Sequence, residues 1–382
     1  MHFALTDERR QLQDTIRRYL GREYAFEQRR KRLAAGAGFS PEIWRQMAEL
    51  GILGIGIREE DGGLGGDAFD TLVVMEAMGR ALVVEPYVST VVLGAGIVGD
   101  AGNEAQRAAW LPGVAAGEKR LAFAHGEAAA RYDASYVETR AAKQGNGWQL
   151  DGAKPVVLNG DCADAFIVSA RSSGKAADRG GISLFVVDAK AKGVVVRPYA
   201  TQDGGRAADV RLESVTVGDD ARLAPAGEAL PVIERALDRA NAALCAEALG
   251  IIDALNEATL EYLKTRKQFG QPIGRFQALQ HRMAEMTIKA VEARSMAILA
   301  AAAMSGADAK ERARRVSAAK AFVGQAARFV GQRAIQLHGA IGMTDELVVS
   351  HWFKRLAMID VTFGNADYHL GRVSDMILAE ET

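Results

Sequence analysis

The sequence predicts an α+β protein of three successive regions: an N-terminal helical domain over 1–120, a small central β barrel or sandwich over 121–225 and a C-terminal four-helix bundle over 226–382. Three observations predict this. Apolar residues recur at helical spacing through the first region; short apolar runs parted by Gly, Asn and Asp turns fill the second; four long helix-period segments fill the third. At 382 residues the chain is long enough for two or three domains and a substantial core.

In order, 7–32 reads as helix, with Leu12, Ile16, Leu20 and Phe26 set among charged residues. Residues 41–53 follow, with Pro41 suited to a first helical turn and Ile43, Trp44, Met47 and Leu50 as the apolar stripe. The segment 58–70, REEDGGLGGDAFD, is a Gly-rich loop, and helices are expected at about 68–81, 90–99 and 104–113. Near Leu121 the period changes. Strands are expected at 121–124, 136–141, 147–157, 165–169, 182–187 and 194–198, with Gly-Asn-Gly and Asn-Gly-Asp turns between them and 195–218 closing the series. Helix returns at about Pro231, over 231–267, 275–304, 309–337 and 344–379. Each segment exceeds the usual globular length and together they form a bundle.

Composition narrows the function. Lys and Arg number 47 against 48 Asp and Glu, a net charge of −1, so the whole-chain balance lends nothing to nucleic-acid binding. Cys162 and Cys245 cannot make a disulfide framework and fit a reducing compartment. The first residues lack an apolar signal core, and no charge-free apolar run reaches the length of a membrane span. A cytoplasmic location without membrane insertion is therefore expected. His2, His125, His281, His338, His351 and His369 are scattered, so no metal site is expected. The glycines of GLGG at 63–66 lie between helices and make no dinucleotide-binding motif.

The stretch that organises the chain is 261–286, EYLKTRKQFGQPIGRFQALQHRMAEM. Arg266, Lys267, Gln268 and Phe269 stand where one helix ends, and the Gln-Pro-Ile-Gly turn fixes the exit. Backbone N–H groups and a cation near one point suit an anionic ligand. The plain alternative is that the two cations complement a helix C-terminus.

At these residues the chain resembles the acyl-CoA dehydrogenase family, along nearly its full length. The segments that carry the resemblance are 41–66, MEAMGRALVVEP at 75–86, TRKQFGQPIGRFQALQHRMAEM at 265–286 and AIQLHGAIGMTDE at 334–346. The resemblance implies non-covalent FAD at a subunit interface. On that pattern Arg266, Gln268 and Phe269 face the pyrophosphate and adenine, while Gln336, Gly339 and Gly342 form a second contact. Arginine pairs with phosphate and glycine permits close backbone approach. Plain helix termination is the other reading of Gly339 and Gly342.

Two departures from the family pattern matter. Its commonest base is a glutamate in a Tyr-Glu-Gly-Thr motif; here IDVTFGNADYH at 359–369 sets Phe363 at that glutamate, and phenylalanine accepts no proton. Branches that place the carboxylate in the first bundle helix would have it at Ala240. Glu247 lies two turns further on in an apolar run, where burial would raise its pKa towards that of a working base. It is the candidate catalytic residue; a structural ion pair with a bundle arginine and a solvated helix face are the alternatives. The second departure is the loop AHGEAAARYD at 124–133. It keeps Glu127 but lacks the family's Pro/Gly turn and hydroxyls.

Together these features resemble the smaller, diverged subunit of heteromeric α2β2 members of the family. The implied reaction is FAD-dependent α,β-dehydrogenation of an acyl-CoA thioester to the trans-2-enoyl-CoA, with an electron-transfer flavoprotein as acceptor. Bulky or dicarboxylyl substrates, of steroid side-chain or pimeloyl type, are implied. A homotetramer, a non-catalytic subunit completing a partner's FAD site, and a flavin-dependent oxidase or monooxygenase on the same scaffold are the rivals.

Overall fold

The computed structural model describes residues 5–36 and 38–380; His2 lies outside them. The helices are α1 (Asp7–Glu23), α2 (Phe26–Ala34), α3 (Pro41–Glu49), α4 (Ala68–Ala81), α5 (Gly96–Ala101), α6 (Glu104–Ala115), α7 (Leu230–Thr265), α8 (Gln277–Met304), α9 (Ala309–His338), α10 (Val348–Val361) and α11 (Ala366–Leu378). Between α6 and α7 run β1 (Leu121–Ala124), β2 (Arg140–Gln144), β3 (Gly147–Leu158), β4 (Ala165–Arg171), β5 (Ile182–Asp188), β6 (Val194–Ala200), β7 (Arg206–Gly218) and β8 (Arg222–Leu223). The chain divides into two compact units. One gathers the N-terminal residues to Ala35, Ala68–Val83 and the chain from Asn241 onward; the other holds Gly36–Asp67 and Val84–Ala240.

In the first unit α9 is the central helix, packed against α8, α10 and α11. Its buried face is rich in alanine and glycine, which lets neighbours approach closely. At Gly331, for instance, a side chain would press on the ring of Phe353. The helix expected over 7–32 is broken at Tyr24 and Ala25, because Ala25 turns extended (ψ 138°) and starts α2 afresh. The segment expected as one helix over 344–379 is two, α10 and α11. Phe363 (φ 56°) and Gly364 (φ 114°) reverse the backbone, and Asn365 recaps by accepting from Tyr368 N at 2.9 Å. Among the described residues the C-terminal region therefore holds five helices, α7 to α11, where four long segments were expected.

In the second unit one strand path runs β6-β7-β3-β2-β4-β5-β8, with β1 parallel to β4. The sheet is open and mixed, which corrects the expected barrel or sandwich. β2 and β4 share a single pairing, Arg140 with Arg171, so two antiparallel blocks meet at one seam and the ends do not join. At one end β6 is an edge strand with alternating exposure and Pro198; at the other, β8 has two residues. β4 is buried throughout and β5 up to its last residue, as their apolar runs require. Trp148, Phe166, Phe185 and Val210 anchor the core. The helix expected over 90–99 begins as a π-helix at Val88–Ala95, a wide form often found near functional sites.

Candidate functional site

Two of the segments singled out in the sequence converge on one end of the first unit. α7 ends at Thr265, and Lys267 and Gln268 pair with Gln271 and Pro272 in a two-residue hairpin. Its turn is Phe269-Gly270, both at positive φ (53° and 76°), so the Phe269 ring is thrown outward and is 90% exposed. An edge contact with Phe276, ring centroids 6.0 Å apart, supports it. The C-terminus of α9 lies beside this hairpin's base: Tyr262 stacks on His338 with centroids 4.5 Å apart. Gly339 ends α9 at φ 68° with open space where a side chain would stand, and Gly342 is packed beneath, against His338 and Ile335. Arg266, Gln268 and Gln336 are exposed, and among the described residues their side chains have no polar partner. A guanidinium, two amides, an exposed ring and an open glycine turn thus lie on one bundle end. That donor set suits a phosphate and a heteroaromatic ring.

Glu247 is elsewhere, in the middle of α7 and nearly inaccessible. Both its oxygens are taken by Arg355 of α10, Nε to Oε1 at 2.5 Å and Nη2 to Oε2 at 2.7 Å. This is the structural ion pair left open by the sequence. A bidentate guanidinium stabilises the carboxylate and occupies the lone pairs a base would need. Ala240 is wholly buried. Phe363 is half-buried in the turn between α10 and α11.

In the second unit the loop after β1 is tied down by its one retained carboxylate. Glu127 accepts from Glu138 N (2.6 Å) and Thr139 N (3.0 Å), and from the buried Lys154 ammonium at 2.6 Å. Lys154 also donates to His125 O and Ser169 Oγ. Burial pushes Lys154 down to about 8, despite the pull of Glu127. For Glu127, burial is the largest influence and acts upward, yet Lys154 and the hydrogen bonds hold the carboxyl below its ordinary value. An open cavity of about 360 Å³ lies beside this pair, lined among others by Glu138, Gly152, Asp209 and Arg211. Arg355, Lys154 and Lys320 were not singled out from sequence. A lone lysine in an apolar run, as in SAAKAFVGQAA at 317–327, was the available signal for the last.

Acid stability follows from these burials. Burial first, and Lys154 second, hold His125 at about 3; burial and then Lys320 hold His369 at about 3. The unfolded chain protonates each near its ordinary 6.5, so it gains protons first and stability falls as pH drops from 6.5 to 3. Each contributes of order 4 kcal/mol by pH 3. Glu85, raised to about 7 by burial, acts oppositely between 4.5 and 7. The steepest loss is therefore expected below about pH 4.5, where Glu127 adds to it; urea titrations at pH 7, 5 and 4 measure it. Equal midpoints at pH 5 and 4 would contradict the assignment.

Among the described residues no group of His, Cys, Asp and Glu is arranged to hold a metal ion, and no helix is long and apolar enough to cross a membrane. Three family profiles match the chain: acyl-CoA dehydrogenase N-terminal domain over 6–118, middle domain over 122–215 and C-terminal domain over 227–378. The probable acyl-CoA dehydrogenase YngJ of Bacillus subtilis is 29% identical over 372 residues, covering 96% of this chain and 97% of the relative. Among solved structures, a variant of the Tcur3481-Tcur3483 steroid ACAD is 29% identical with a TM-score of 0.88, covering 98% of this chain and 99% of that one. The ChsE4-ChsE5 complex from Mycobacterium tuberculosis is 25% identical with a TM-score of 0.88, covering 99% of each chain. The chain belongs to the acyl-CoA dehydrogenase family. It is accordingly an enzyme of acyl-CoA dehydrogenase type whose cofactor is FAD.

Proposed function

We propose that this chain is one subunit of a heteromeric α2β2 acyl-CoA dehydrogenase, paired with a homologous large subunit. The complex oxidises a bulky or dicarboxylyl acyl-CoA thioester to its trans-2-enoyl-CoA. One observation carries this reading: the chain has no free carboxylate at either position the family resemblance gives to the base. Phe363 occupies one, and Glu247, near the other, is held at both oxygens by Arg355. In this reading Glu247 orients α10 through Arg355, and the partner supplies the base. Similarity to the ChsE4-ChsE5 complex and to a steroid ACAD supports both the pairing and the substrate class.

FAD, when bound, supplies the two-electron acceptor for the β hydrogen. This chain's part is to hold it. Arg266, with Gln268 and Phe269, would hold the pyrophosphate and adenine, the guanidinium supplying charge to the phosphates, and Gln336, Gly339 and Gly342 would form the second contact, the glycines letting backbone approach. An electron-transfer flavoprotein then takes the electrons, and the complex works in the cytoplasm.

Flavin content per chain tests the reading, measured on this chain alone and on the complex it forms with the large subunit. About one FAD per pair, with little on the isolated chain, is the expected result. Arg266→Ala should weaken FAD retention by the pair roughly 10- to 100-fold, the worth of a charge-assisted phosphate contact. One FAD per chain in a homo-oligomer that is reduced by acyl-CoA would refute the heteromer.

A further inference from the structure

The first turn of α10 grips the connection that follows α9. Ser350 Oγ donates to Thr344 O at 2.7 Å, and Thr344 Oγ1 in turn donates to Ile341 O at 2.9 Å, inside the turn Gly339–Met343. One residue further along α10, His351 Nε2 meets Asp345 O at 3.1 Å. The other ring nitrogen, Nδ1, meets Arg29 Nη1 of α2 at 3.4 Å, and the ring stands edge-on to Phe26 with centroids 5.0 Å apart. Arg29 is buried, and its Nε donates to Leu82 O at 2.8 Å, just beyond α4. Trp352 Nε1 donates to Arg80 O at 3.0 Å, near the same helix end. The glycine turn is thus braced through α10 against α2 and the end of α4.

The partners fix the protonation of the His351 ring. A guanidinium only donates, so Nδ1 must accept; a carbonyl only accepts, so Nε2 must carry the hydrogen. Both contacts hold only in the neutral Nε2–H form. A proton on Nδ1 would face the Arg29 guanidinium, and the ring would have to leave α2. The charged groups facing the ring are Arg29 from α2, Lys354 one turn along α10, and Asp345 from the connection, whose Oδ1 lies 3.9 Å from Nε2. Lys354 Nζ already holds that carboxylate at 2.7 Å. Burial first holds the imidazole below its ordinary 6.5; the Asp345 carbonyl opposes, while Arg29 and Lys354 add to the lowering. The ring is therefore neutral at pH 7 and takes its proton only below 6.5.

We infer that His351 is a positioning residue for FAD: in its neutral Nε2–H form it clamps the segment 339–345 to α2, and protonation releases the clamp. The inference rests on the functional reading above, which gives Gln336, Gly339 and Gly342 to the second FAD contact. FAD is then held most firmly at neutral pH and is let go faster as the ring gains its proton.

The test is the rate of FAD release when the holo complex with the large subunit is diluted at pH 7.5 and at pH 5, followed by recovery of flavin fluorescence. Wild type is expected to release FAD about threefold to tenfold faster at pH 5, the worth of one lost hydrogen bond. His351→Gln carries an amide that donates and accepts but does not titrate. It should lose most of that pH dependence and hold FAD better than His351→Leu at pH 7.5. His351→Leu, with neither contact, should release FAD at both pH values about as fast as wild type does at pH 5. His338, which packs against Gly342, is common to all three proteins, so the difference between them belongs to His351. Should His351→Leu not fold, wild type against His351→Gln decides alone. A pH dependence in His351→Gln equal to that of wild type would overturn the inference. So would wild-type release at one rate across both pH values. A wild-type complex that holds no FAD refutes the functional reading instead, and the inference falls with it.

Discussion

Replacing Arg355 with methionine is expected to destabilise the unit that contains it by about 3–5 kcal/mol, the usual cost of stripping one partner from a buried ion pair. Glu247 would be left nearly inaccessible, in the apolar run from Ala243 to Leu249, with both oxygens deprived of a guanidinium. Replacing both partners should recover much of the loss, because no unpaired charge then remains. A combined Glu247→Met and Arg355→Met variant more stable than Arg355→Met alone, by urea denaturation, is the expected pattern. If Arg355→Met alone were neutral, the pair would not be what holds Glu247 in place, and its candidacy as a base would revive.

Gly250→Ala should cost up to about 3 kcal/mol, the upper range for overpacking. The cause is the crossing of α4 and α7. A side chain on Gly250 would overlap the Glu76 carbonyl, and one on Gly79 would overlap the Glu247 carbonyl, so the two backbones meet through a reciprocal pair of glycines. Glu76 itself is buried and bonded to Arg17 at 2.8 Å and to Arg294 at 3.2 Å, so separating the helices also strains that network. Gly371→Ala is the control. It lies on the exposed part of α11 with nothing within 4 Å, and should stabilise by about 0.5–1 kcal/mol through helix propensity. Thermal and urea unfolding of the two variants should therefore move in opposite directions.

Much of the fold was legible because periodicity is local. Ala68–Ala81 and Leu121–Ala124 match their expected bounds, since a continuous apolar period and the flanking Gly and Pro residues decide them. The break at Phe363 was missed although Gly364 and the capping Asn365 are local turn signals, because the apolar period continues on both sides of them; Lys320 and Asn241, from distant segments, hold the reversed backbone. Nor was closure of the sheet. It depends on which strands meet at the β2–β4 seam, and pairing partners are not encoded in alternation.

For the site, residue types pointed to the hairpin at 266–272 and to the Gly339 turn, and the family followed from the same segments. Whether Glu247 was catalytic, ion-paired or solvated depended on what stood opposite α7. Arg355 lies 108 positions away in the chain, and only packing brings it there. Composition and local pattern thus determined most of the helical and strand regions, and the family resemblance supplied the candidate cofactor segments and the glutamate position that Phe363 fills. Tertiary structure decided which carboxylate is engaged, where the last helix breaks and what holds that break, because charge pairing and carbonyl satisfaction act between elements that share no sequence neighbourhood.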